Sequence, residues 1–126
     1  MEKEFIPYEQ ALALKELGFD EHYELLGSII IYRNKNLCMC NDGAMEMFKG
    51  FGDELVTALS YSQAFRWFRE KHKLHSTITS ISQESWQWHI TKPGESLGKL
   101  YDEDFYTYEE AELACLNKLI ELIKTK

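Results

Sequence analysis

Leu25–Met39 reads LLGSIIIYRNKNLCM, and the way this stretch folds decides the fold of the chain. SIIIY is apolar and β-branched, LCM is apolar again, and RNKN between them supplies turn residues, so the segment predicts a β-hairpin. Three consecutive isoleucines leave the first strand no polar side. Such a strand is either covered on both faces or irregular.

Upstream, residues 7–17 predict a helix. Pro7 suits a first helical turn, where its missing N–H costs nothing, and Gly18 is a natural left-handed cap after Leu17. Tyr8, Ala11, Leu12, Leu14 and Leu17 supply a broad apolar face. Downstream, residues 41–58 are the least readable. Asn41-Asp42-Gly43 is a turn. The stretch that follows fits a short helix or a loop held down by Met45, Met47, Phe48 and Phe51, while Gly50 and Gly52 argue against one long helix.

Further on, the periodicity is clear. Tyr61, Ala64, Phe65 and Phe68 stand at i, i+3, i+4 and i+7, so residues 61–72 predict a helix with one apolar stripe, opened by the capping-box pair Ser60 and Gln63. HSTITSIS (75–82) and WQWHI (86–90) predict two strands joined at Ser82–Ser85. The second alternates strictly, with Trp86, Trp88 and Ile90 on one face and Gln87 and His89 on the other. Lys92–Glu95 is a turn, and Leu97–Tyr101 predicts an edge strand. A last helix is expected over 108–124, capped by Thr107 and Glu110, with Ala111, Ala114, Cys115, Lys118, Leu119, Leu122 and Ile123 facing inward. Helix, hairpin, helix, strands, helix makes an α+β class. We expect a single domain over residues 1–126: a mostly antiparallel sheet of four or five strands packed with three helices, on one face or both.

Composition excludes several function classes. Of 126 residues, 44% are hydrophobic and 13% aromatic, which excludes a disordered chain. The charge-poor run Leu25–Tyr32 is far shorter than the roughly 20 residues of a membrane span. The N-terminus lacks the basic start and apolar stretch of a secretory leader. With an odd count of three cysteines, this reads as a cytoplasmic chain in a reducing compartment. The net charge of −7 weighs against general nucleic-acid binding. It is unevenly spread, however: residues 59–92 carry five basic and two acidic groups.

Three segments, FIPYEQALALKELGFDE (5–21), YSQAFRWFREKHKLHS (61–76) and YEEAELACLNKLIELIK (108–124), together resemble a family of small uncharacterised proteins widespread in phages and prophages of Bacteroidetes-type bacteria. They cover 50 of the 126 residues. The resemblance implies a phage-derived accessory protein with an α/β sandwich. It implies no activity, and no functional residue carries over from it.

Each candidate site has a plain structural alternative. Cys38-x-Cys40 places two thiols on one side of a strand, but the second ligand pair of a structural zinc site is missing, so no metal is expected. His72, His75 and His89 are of the residue type that most often serves as acid, base or ligand, yet His72 is accounted for by its helix C-terminus. Cys115 falls in mid-helix on an apolar face, where a thiol is inert. Asp102-Glu103-Asp104 lacks the pattern of a calcium loop. Trp86 and Trp88 read as core, and as a stacking platform if their face is open. Trp67 lies about 100° from Phe68 around the helix and off the Phe65–Phe68 stripe, so we expect it to be partly exposed on a protein-contact surface rimmed by Arg66 and Arg69.

Three functional readings follow. The preferred one is a non-enzymatic module, without cofactor, that binds another protein or itself, as a homodimer for example. The second is a nucleic-acid-associated role through Arg66, Arg69, Lys71 and Lys73 with Trp67 for stacking. The third is a small enzyme using His72, His75 or His89.

Overall fold

Why the isoleucine run tolerates no polar face is answered by what covers it. The computed structural model describes residues 5–19, 23–25, 28–92, 95–96 and 105–124. They are α+β with antiparallel sheets, and they fall into two compact units, residues 1–60 and 61–126. The strands are shared between two sheets, and a fourth helix joins the three expected.

In unit 1 the central strand is β2 (Ser28–Arg33). On one side it pairs with β3 (Asn36–Cys40). On the other it pairs with β1 (Tyr23–Leu25) through its first half and with β4 (Leu55–Thr57) through its second. Pairing register puts Ile29 and Ile31 on one face with Cys40 and Cys38, and Ile30 on the other with Met39. The first face lies under α2 (Asp42–Gly50), through Met45 and Phe48. Ile30 packs with Phe5 and Ala58. All three isoleucines are therefore buried.

α1 (Tyr8–Glu16) packs against β4. It ends as its glycine predicts. Gly18 takes φ 105 and donates to Lys15 O, and Phe19 donates to Leu14 O at 3.0 Å, the double bond of a Schellman motif. The unreadable stretch 41–58 resolves into α2, a turn and β4. Asn41 caps α2 by accepting from the Ala44 N–H at 2.8 Å. Gly52, at φ 79, turns the chain toward β4.

Unit 2 contains α3 (Tyr61–His72), β5 (His75–Ser82), β6 (Ser85–Lys92), β7 (Glu95–Ser96) and α4 (Tyr108–Lys124). β6 is central, between β5 and the short β7, and Phe105 bridges to Trp86. α3 and α4 match the expected spans, and Thr107 caps α4 by accepting from the Glu110 N–H at 3.1 Å. The face of α4 is rotated from the expected one. Ala111, Cys115 and Leu119 are buried as read, but Leu116 and Ile120 complete the face while Leu122 and Ile123 are half-buried. The expected strand at Leu97–Tyr101 lies outside the described residues. Among the described residues, no helix is long and apolar enough to cross a membrane.

Candidate functional site

The contact surface expected around Trp67 is corrected by its burial. Trp67 is 6% exposed, edge-on to Phe68 with ring centroids 5.0 Å apart and to His72 at 4.9 Å. The physical reason is the phase of the stripe. At 100° per residue, Trp67, Ala64, Phe68 and Tyr61 span an arc of about 120°, and all four are buried. That arc centres near Ala64 and leaves Phe65 half-buried at its rim. The stripe Tyr61–Ala64–Phe65–Phe68 centres between Tyr61 and Phe68, and Trp67 falls outside it.

Arg66, Arg69, Lys71 and Lys73 are all exposed, but they do not form one face. Arg66 and Arg69 lie about 60° apart around α3, while Lys71 points about 140° from Arg66. Lys73 stands past the helix end in a left-handed conformation, φ 58, with its ammonium on Glu70 O at 3.3 Å. Tracking a phosphate backbone needs cations gathered along one groove, and this set diverges.

The histidines are not brought together as a trio. His72 is half-buried against Trp67 and Phe68. His75 and His89 share the face of the β5–β6 pair opposite Trp88 and Ile90, where Thr77, Thr79 and His75 are exposed and His89 is half-buried. Trp88 and Ile90 are buried on the other face, toward which α4 packs, so the core reading holds for Trp88. Trp86 is half-buried, edge-on to Tyr108 at 5.3 Å.

The thiols behave as packed apolar groups. Cys115 is fully buried, and burial pushes its thiol up to about 12, despite the hydrogen bond to Ser76. Cys40 is buried beside half-buried Cys38, and its thiol is likewise raised, chiefly by desolvation. Among the described residues, no group of three His, Cys, Asp or Glu side chains converges as for a metal ion. Asp102–Asp104 lie outside the described residues. Glu112, which no sequence pattern singled out, has its carboxyl pushed up to about 7 by burial and then by the charge of Glu109, against a hydrogen bond from Tyr108. It is a carboxyl in an apolar setting, and Cys115 nearby on the same helix is a protonated thiol at neutral pH.

What the hairpin presents is more open to a partner. β3 pairs with β2 and, among the described residues, with nothing on its other side. Its five residues, NLCMC, include no charge and no proline, the devices that blunt exposed edges. Arg33 and Asn36 close a two-residue turn, and in such a hairpin the closing pair exchanges hydrogen bonds. Asn36, Cys38 and Cys40 then bond inward to β2, and the backbone groups of Leu37 and Met39 aim outward. The same two residues have exposed side chains, 37% for Leu37 and 52% for Met39.

This edge is held rigidly from its turn. Asn34 donates its backbone N–H to Glu54 O, accepts the Glu54 N–H on its side-chain oxygen at 2.9 Å, and donates its side-chain amide to Asp53 Oδ1 at 3.1 Å. Arg33 bonds Asp53 Oδ2 at 2.7 Å and lies over the Phe48 ring, 3.7 Å from its centroid. The Tyr8 hydroxyl donates to Glu54. Hydrogen bonds from Asn34 and Arg33 hold the Asp53 carboxyl below the usual range, and the Glu54 bond pushes the Tyr8 hydroxyl up to about 12. Comparison with protein-family models, curated proteins and solved structures finds no match to this chain.

Proposed function

We propose that the chain is a non-enzymatic protein-binding module that receives an extended strand, from another protein or a second copy of itself, at the free edge of β3. The observation that carries this reading is the coincidence, at Leu37 and Met39, of outward backbone groups with exposed apolar side chains on an uncharged edge. Strand addition draws affinity from the backbone and selectivity from alternate side chains, and this edge supplies both. The turn clamp through Asn34, Asp53 and Glu54 supports it, because a pre-ordered edge loses little entropy on pairing. The family resemblance adds a setting, an accessory protein of a phage or prophage acting in the cytoplasm of its host. The basic residues of α3 support a nucleic-acid role less well, because they diverge around the helix.

Met39→Pro tests this. It removes an outward donor and leaves the inward bonds of Cys38 and Cys40 in place. Sedimentation velocity at increasing concentration, and pull-down from host lysate, are expected to lose complexes in the variant while circular dichroism is unchanged. Equal association by the parent and a folded Met39→Pro variant would refute the edge as the binding surface.

A further inference from the structure

We propose that unit 1 holds a binding cavity for a small amphipathic carboxylate, distinct from the β3 edge and independent of it. The cavity measures about 380 Å³ and lies between α1, α2 and the sheet face of Ile31. That falls in the range of roughly 300–1,000 Å³ typical of small-molecule sites. Taking about 30 Å³ per non-hydrogen atom, as in liquid water, it accommodates roughly a dozen atoms.

The walls dictate the ligand's body. Phe19, Ile31, Met45 and Val56 line it and are all buried, so the interior offers dispersion contacts. The charged lining dictates the ligand's head. In a chain of net charge −7, the charged residues that line this cavity among the described residues are Lys15 and Lys49, with no Asp or Glu among them. Both lysines are exposed, which places their ammonium groups where the cavity meets solvent. Lys15 is held there by its bond to Leu55 O at 3.1 Å, and Leu55 itself lines the cavity. Lys49 reaches Glu46 on its own helix at 3.4 Å, with both side chains more than half exposed. So exposed a pair is weak, and a ligand carboxylate can replace it. An apolar pit with two cations at its rim, and no anion among its described lining residues, matches one chemistry: an aliphatic or aromatic body carrying a carboxylate. A cation is disfavoured by the lysines, and a neutral molecule leaves them unused.

Octanoate, with ten non-hydrogen atoms, is the probe, and 1-octanol is its neutral counterpart. Methyl NMR of the full chain is expected to show saturable shifts of Ile31 and Met45 on addition of octanoate. 1-Octanol should bind the parent about tenfold more weakly, the usual worth of one charge-assisted hydrogen bond. The double variant Lys15→Met, Lys49→Met changes two exposed side chains, so it should fold as the parent does. It should bind octanoate about tenfold more weakly and no longer discriminate it from octanol. Ile31 and Met45 methyls unmoved by octanoate below its micelle concentration would overturn the site. Equal binding of octanoate and octanol by the parent, or unchanged octanoate affinity in the double variant, would overturn the role of the lysines and with it the ligand class. Retained octanoate binding in Met39→Pro is expected, which keeps this cavity separable from the strand edge.

Discussion

Unit 2 buries helix stripes against one face of a sheet and leaves the other face polar, whereas unit 1 buries its central strand on both faces. In unit 2, Trp88 and Ile90 point toward the helices, and Thr77 and Thr79 point away. Secondary structure there is fixed by period, 3.6 in α3 and α4 and 2 in β6. In unit 1 no such period exists in Ile29-Ile30-Ile31, and β1 and β4 are three residues each. Order there comes instead from polar side chains that bind distant backbone: Asn34 to Glu54, and Tyr32, whose hydroxyl bonds Ile6 O at 2.6 Å. Apolar burial carries one unit. In the other it is supplemented by a lattice of specific hydrogen bonds, and the units should answer differently to substitution.

The largest expected effect lies in unit 2. Phe68 is fully buried within the α3 arc, so Phe68→Ala should cost about 3–5 kcal/mol in denaturant melts. Trp67→Ala should cost a comparable amount, as a core rather than a surface substitution. A loss below about 1 kcal/mol for either would mean that the arc faces solvent and that unit 2 is not organised by its stripe.

Unit 1 is sharpened by Asn34→Ala. This removes two side-chain hydrogen bonds and puts alanine at φ 50. A loss of about 3 kcal/mol is expected, from two bonds of about 1 kcal/mol each plus about 1 kcal/mol for the left-handed backbone. The clamp also brings a pH dependence. The Asp53 carboxyl is lowered in the fold, so its contribution is full above the unfolded pKa and is lost as pH falls through the lower folded value. Asp53→Asn should therefore flatten acid denaturation of unit 1.

Unit 2 carries the opposite sign. Glu112, raised to about 7, keeps its proton in the fold at pH values where the unfolded chain has released it. Stability then falls as pH rises from the ordinary glutamate range to about 7, and the penalty is complete above that. Glu112→Gln should stabilise the protein at pH 8 by about 1 kcal/mol, discounted from the full shift for solvent screening, and should have little effect near pH 4. Equal effects at both pH values would assign the change to packing instead.

This contrast also explains what was legible in the sequence. The spans of α3 and α4 follow from spacing and caps, which are local properties. The burial of Trp67 did not follow, because the stripe Tyr61–Ala64–Phe65–Phe68 and the arc Tyr61–Ala64–Trp67–Phe68 share three members, and only the packing partners choose between Phe65 and Trp67. The hairpin at Arg33–Asn36 was readable from turn chemistry. Its clamp was not, since Asp53 and Glu54 meet Asn34 across about twenty residues of chain that carried no pattern. The open edge of β3 and the cavity under α1 and α2 are likewise properties of what pairs and packs, which no local period encodes.

The smallest expected effect tests how finely the turn is tuned. Asn34 and Lys35 both take positive φ, 50 and 74, as a mirror-image hairpin turn requires. Asparagine tolerates this region, but lysine bears a Cβ penalty of roughly 1–2 kcal/mol. Lys35→Gly removes that penalty, yet glycine loses more freedom on folding, a cost of roughly 0.5–1 kcal/mol. The Lys35 ammonium also lies 6.0 Å from the Tyr8 ring centroid, at the outer limit of a cation–π contact, so its loss costs at most about 0.5 kcal/mol. The first term exceeds the other two by a small margin, and a gain of about 0.5 kcal/mol is expected. Lys35→Ala separates the contributions, because it keeps the strain and loses the cation, and should be neutral or slightly destabilising. A gain from alanine equal to that from glycine would show that the lysine's charge, not its backbone, is the source of strain. The turn would then be limited by electrostatics, unlike the rest of unit 1.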